Sequence, residues 1–144
     1  MAWRSLAELE AADLVEAKPA DPHALATFLS RAEKDLKLAR DVIGRIDAER
    51  AMGIAYEAAF RACLGLVGSA GYRVTSGGGH NTATIEGAAA SLGPSAGPLF
   101  RRIEAARRFR NQSLDEVPRP AGADELSQLI KDAEEIIGLL RQRL

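Results

Sequence analysis

Cysteine is almost missing from this chain: one residue, Cys63, among 144. A disulfide framework within the chain is thereby excluded, and a reducing compartment is the default expectation. Cys63 stands inside an apolar helical run with no cationic pattern around it, so it reads as a core residue and not as a nucleophile. Aromatic residues are scarce too, 5% against a hydrophobic total of 47%. Small apolar side chains on long segments suit closely packed helices better than sheets. Net charge is lacking, since 19 basic and 20 acidic residues leave −1. Polyanion binding driven by overall charge is excluded, and any contact with nucleic acid has to come from a local patch. No apolar run approaches the roughly 20 residues of a membrane span. The start, MAWRSLAELEAADLVEAK, carries acids and no uninterrupted apolar stretch, unlike a signal peptide. The expectation is a cytoplasmic protein with no membrane partner.

What the chain does have is helical periodicity. Residues 1–20 read as a short N-terminal helical segment, and residues 21–144 as one helical bundle. Asp21-Pro22 is a start signal, with Asp as N-cap and Pro at the first helical position. Leu25, Phe28, Leu29, Ala32, Leu36, Ala39, Val42, Ile43 and Ile46 then recur at three- and four-residue steps, an apolar stripe on one long helix. The next helix runs from about Asp47 to Ser69 and turns Met52, Ala55, Ala59, Ala62, Cys63 and Leu66 inward; Gly53 and Gly65 weaken it slightly and admit a close neighbour. Gly71 to His80, with three consecutive glycines, reads as a loop. A short helix from Asn81 or Thr82 to Leu92 follows, stopped by Gly93-Pro94. Gly97-Pro98 opens another, and residues from Gly122 to Leu144 form the last, with Leu126, Leu129, Ile130, Ala133, Ile137 and Leu140 inside. No repeat, heptad array or low-complexity tract appears. The fold class is all-α, an up-down bundle of four to five main helices plus the short N-terminal one.

The helix after Gly97 carries the chemistry. Arg101 to Arg110 holds five arginines and one glutamate. Leu99, Ile103 and Ala106 follow the core stripe, and the next step of four lands on Arg110. A guanidinium in core register is costly unless it is paired or opens onto a groove or an interface. Arg107, Asn111 and Asp115 share a flank at i, i+4 and i+8, and Arg108 lies on a similar face. Cationic forks, an amide and a carboxylate within reach of one spot are what holding a phosphodiester requires. The plainer reading stands beside it: Arg101, Arg102 and Arg107 as solvated surface, with a late basic turn complementing the helix dipole. Asp115 and Glu116 in a final turn would oppose that dipole by ~0.3–1 kcal/mol each. Either Arg108 or Arg110 offsets them, or they lie beyond a helix ending at Asn111. The helix has to stop near Glu116 because Pro118 follows.

The order of these features resembles the HEPN domain family (higher eukaryotes and prokaryotes nucleotide-binding). The likeness rests on AYEAAFRACLGLVGSAGYRV, then GGGHN, a short helix and RRFRN. It covers about Phe28 to Glu116 and a closing helix. The resemblance implies a helical bundle, commonly a homodimer, and in many members a metal-independent endoribonuclease of toxin–antitoxin or defence systems. It also implies an arginine that binds the scissile phosphate, a polar neighbour, and a histidine a few residues on that moves the 2′-OH proton. On this pattern Arg110 matches the arginine and Asn111 the polar neighbour. Counting on through Asp115, Glu116 and Val117 meets no histidine. Asp115 stands in its place, and an exposed aspartate, titrating near ~3.9, donates no proton at neutrality although it accepts one. Loss of a positioned acid–base group lowers a rate by ~10²–10⁴.

The site so implied has Arg110, Asn111 and Asp115 as catalytic positions and Arg107, Arg108 and Arg110 as phosphate ligands. His80 is a loop candidate, read first as a structural residue, and His23 at a helix start looks uninvolved. The glycines lack the Lys-Ser/Thr of a P-loop, and neither metal nor cofactor is expected. The function expected is binding of RNA or nucleotide phosphate in an arginine-lined groove at a dimer interface, with weak or no ribonuclease activity. Two alternatives stand beside it. One is a non-catalytic module partnering a nucleotidyltransferase or an antitoxin; the other is a structural bundle whose arginines are only a solvated face.

Overall fold

The computed structural model describes residues 3–115 and 122–144, and for residues 110–115 the backbone only. The chain is mostly helical, 76% helix, with six helices and one two-stranded sheet among the described residues. Helix α1 (Leu6–Ala11) leads into strand β1 (Val15–Ala17), then come α2 (Pro22–Asp41), α3 (Ala48–Ser69), β2 (Tyr72–Val74), α4 (His80–Leu92), α5 (Gly97–Asp115) and α6 (Ala123–Arg141).

Helix α3 is the centre, packing against α2 and α6 most extensively and against α4 on another side. Its alanines explain this. Ala51, Ala55, Ala58, Ala59 and Ala62 are fully buried, and small side chains let neighbouring backbones come close on several sides. Gly65 goes further, since a Cβ there would meet Leu140 Cδ2 at 2.6 Å. Gly53 differs from the expectation, because a Cβ there would meet nothing within 4 Å and it admits no close neighbour among the described residues. Helix α3 also corrects the expectation that no segment is long and apolar enough for a membrane span. By length and apolar composition it reaches what a span needs. It is instead the bundle's core helix, covered by α2, α4 and α6.

Helix α2 starts as the sequence predicts, with the Asp21 carboxylate accepting from the backbone N–H groups of His23 and Ala24. Leu25, Ala32, Leu36 and Ala39 are buried. The stripe fails at its end. The helix stops at Asp41, Val42 leaves the helical path (φ −121°, ψ −70°), and residues 43–45 form a 3₁₀ turn. With the 3.6-residue register broken, Val42 and Ile46 turn outward, 48% and 81% exposed, while Ile43 still packs on the core. Gly44 permits this turn, since a Cβ there would lie 2.7 Å from the Ala39 carbonyl oxygen.

The second correction falls on the stretch after Gly71, which is not all loop. Tyr72–Val74 pairs antiparallel with Val15–Ala17, Val15 opposite Val74 and Ala17 opposite Tyr72. Tyr72 and Val74 point inward and Arg73 outward, where it ion-pairs with Glu16 on the partner strand. The turn proper is Gly77 to Gly79, with Gly79 in a left-handed conformation (φ +84°) at the start of α4. Leu9, Val15 and Ala83 form a small second core beneath this sheet. Arg4 fastens the N-terminal segment to α4: its Nη2 and Nε donate to the mostly buried Glu86 carboxylate at 2.7 and 3.1 Å.

Helix α6 buries Leu126, Leu129, Ala133, Ile137 and Leu140 as its periodicity predicts, and Ile136 with them. Asp132 is buried too, held by Arg102 through Nε and Nη2 at 3.1 Å and by Gln128 Nε2 at 3.0 Å.

Candidate functional site

One side of α3 carries two rows. Tyr56, Phe60 and Leu64 recur at four-residue steps, and Glu57 and Arg61 run beside them. Across from these rows stand Asn81, the second residue of α4, and Arg107 on α5. Together they line a cleft of about 280 Å³. Its floor is aromatic: the Tyr56 and Phe60 rings lie 6.1 Å apart at 31°, with Tyr56 buried and Phe60 partly exposed.

Two guanidinium groups enter this cleft from different helices, and each has a carboxylate beside it. Arg107 Nη2 donates to Glu104 Oε1 at 2.6 Å, and its Nε lies 3.0 Å from both oxygens. These hydrogen bonds raise the Arg107 pKa above the ordinary arginine value; burial works against them, and the charge of Glu104 and then Tyr56 adds to the rise. Arg61 is held more loosely. Its Nε is 3.5 Å from Asp35 Oδ2, an ion pair rather than a hydrogen bond. That same Nε is buried and has no hydrogen-bond partner among the described residues. A buried donor left in this state costs free energy, and its burial also keeps a ligand in the cleft from reaching this nitrogen.

The residues singled out in the sequence distribute unevenly around this cleft. Arg107 lines it. Arg108, 72% exposed, faces solvent with its Nε 3.6 Å from Glu104. Arg102, read as solvated surface, instead binds the buried Asp132, while Arg101 is exposed. Helix α5 continues through Asp115, so it does not end at Asn111, and Arg110 follows Arg107 by three residues, one turn along the same helix. The side chains of Arg110, Asn111 and Asp115 lie outside the described residues, as does Glu116 altogether.

His80 heads α4, exposed, with its Nδ1 2.6 Å from the Gly77 carbonyl oxygen. A carbonyl only accepts, so Nδ1 is the protonated nitrogen and the ring braces the glycine turn. It is not part of the cleft wall, although its neighbour Asn81 is. His23 sits in the first turn of α2, where its backbone N–H donates to Asp21 at 3.0 Å.

Arg61, Asn81, Tyr56 and Phe60 escaped the sequence reading. The available signal was a charged residue, Arg61, set inside the apolar run from Ala58 to Leu66, on the same face as two aromatics in a chain with few. Among the described residues no group of three or more His, Cys, Asp or Glu side chains is arranged to hold a metal ion. Compared with known proteins, the chain matches no family model, no curated protein and no solved structure.

Proposed function

We propose that this chain is a HEPN-like domain that binds the phosphate of RNA or of a nucleotide in the arginine-lined cleft between α3, α4 and α5. One observation carries the reading: Arg61 and Arg107, from two separate helices, line a single cleft with the amide of Asn81. Guanidinium groups hold phosphate oxygens through charge-assisted, often paired, hydrogen bonds. Holding Arg107 in place through Glu104 lowers the ordering cost when a phosphate arrives. Arg110 stands one helical turn beyond Arg107 in α5, and in this reading the groove continues to a second copy of the chain.

Cleavage in this reading is weak or missing. The resemblance requires a histidine after Arg110, and Asp115 stands there instead. The proposal is tested by incubating purified protein with labelled single-stranded RNA in EDTA, following both binding and cleavage. Binding that weakens in Arg61→Ala and in Arg107→Ala supports it, and cleavage that survives Arg110→Ala removes the role given to that residue. Retained affinity in Arg61→Ala and Arg107→Ala alike rejects it.

A second reading, a non-catalytic module for a nucleotidyltransferase or antitoxin, has its own observation. Leu38 in the last turn of α2 and Val42 and Ile46 on either side of the 3₁₀ turn that follows are large exposed apolar residues. That reading requires no RNA binding at any salt concentration, so the same experiment separates the two.

A further inference from the structure

We propose that the cleft takes one nucleotide with its base unstacked and laid on the ring of Phe60, which makes single-stranded RNA, not duplex, its ligand. This rests on the phosphate-binding reading above. The cleft has two kinds of wall side by side. Arg61, Arg107 and Asn81 supply donors for a phosphate, and the row Tyr56, Phe60, Leu64 supplies an apolar surface. A phosphate alone has no use for the second wall; a base has.

Phe60 is fitted to be that surface. It is partly exposed at the cleft while the rest of it packs on the core, and the buried Tyr56 ring backs it at 6.1 Å. A ring braced in this way loses little freedom when a base stacks on it. Glu57 stands on the same wall, and Asp35 and Glu104 accompany the two arginines, so the cleft carries no excess positive charge and a run of phosphates is disfavoured there. Size agrees. A cleft of about 280 Å³ falls just below the range of small-ligand pockets, roughly 300–1,000 Å³. That is room for one nucleotide and not for a base pair with its neighbours. Stacking on an aromatic ring tolerates any base, because every base has a flat face.

The test uses the full chain and fluorescence anisotropy with three probes of equal length: a single-stranded RNA, the same ribose-phosphate strand without bases, and an RNA duplex. Circular dichroism confirms that each variant is folded. Phe60→Ala is expected to weaken binding of the single strand about tenfold and leave the strand without bases unchanged. Phe60→Leu keeps most of the volume and is expected to weaken it similarly, whereas Phe60→Tyr retains the affinity. Equal binding of the single strand by wild type and Phe60→Ala overturns the inference, as does duplex bound as tightly as single strand. The two failures are distinguishable. If Arg61→Ala and Arg107→Ala weaken the strand without bases while Phe60→Ala changes nothing, the phosphate reading survives and the base platform does not. If neither arginine variant matters for any probe, both fall.

Discussion

A methyl group added at Gly65 would sit 2.6 Å from Leu140 Cδ2, whereas at Gly53, twelve residues earlier on the same helix, it would meet nothing within 4 Å. Gly65→Ala is therefore expected to cost about 1–3 kcal/mol through overpacking. Gly53→Ala is expected to gain about 0.4–1 kcal/mol, because alanine loses less backbone entropy in a helix. Urea denaturation of the two variants reads both signs. The sequence offers no distinction between these glycines, since it does not show where Leu140 of α6 will arrive. Cys63, by contrast, was legible, because its apolar neighbours at helical spacing are also its spatial ones. Its thiol is fully buried, and desolvation pushes its pKa up beyond the ordinary value of 9.0. The native thiol then keeps its proton where the unfolded chain loses it. The resulting stability is present below about pH 9 and is lost progressively above it. A disulfide exchange reagent is expected to leave Cys63 untouched in native protein and to label it fully in denaturant. Rapid labelling of native protein would contradict the burial.

Among the elements, α5 and α6 show how far helical pattern reaches. Pattern places Leu99 and Ile103 inside α5, and they are buried. It does not show that Arg102 spends its charge on Asp132, because that partner lies 30 residues away on another helix. Asp132 sits next to Ala133 within the apolar stripe of α6 and is almost fully buried, so removing its cation strands a carboxylate. Arg102→Ala is expected to destabilise by about 1–2 kcal/mol, toward the lower end because Arg102 is half exposed and water replaces part of its bonding. Thermal denaturation checks it, and a double-mutant cycle with Asp132→Asn isolates the pair. Strands were the least legible elements. Tyr72–Val74 finds its partner in Val15–Ala17, across the whole of α2 and α3. A three-residue strand beside glycines carries too short an alternation to outweigh the loop signal. The cleft was hidden for a related reason. Arg107 was visible as one of several arginines, but Arg61 joins it only through the packing of α3 against α5.

At the scale of the whole molecule, the N-terminal segment is part of the bundle's structure. Leu9 and Val15 are fully buried against Ala83, β1 completes the sheet with β2, and Arg4 neutralises Glu86. Removing residues 1–17 is expected to cost about 3–5 kcal/mol from the burial of Leu9 and Val15, read as a lower melting temperature, with loss of the sheet exposing Tyr72 and Val74. A chain balanced at −1 overall has no general attraction for RNA, so the account depends on the few charges that packing brings together. Anisotropy with a single-stranded RNA over a range of salt concentrations tests that dependence most directly, comparing wild type with the Arg61→Ala/Arg107→Ala double variant. The wild-type affinity is predicted to fall with salt, and the double variant to bind more weakly with a log–log slope shallower by about 0.7, the share of the one phosphate the two arginines hold. Matching affinities and slopes for the two proteins would contradict the account.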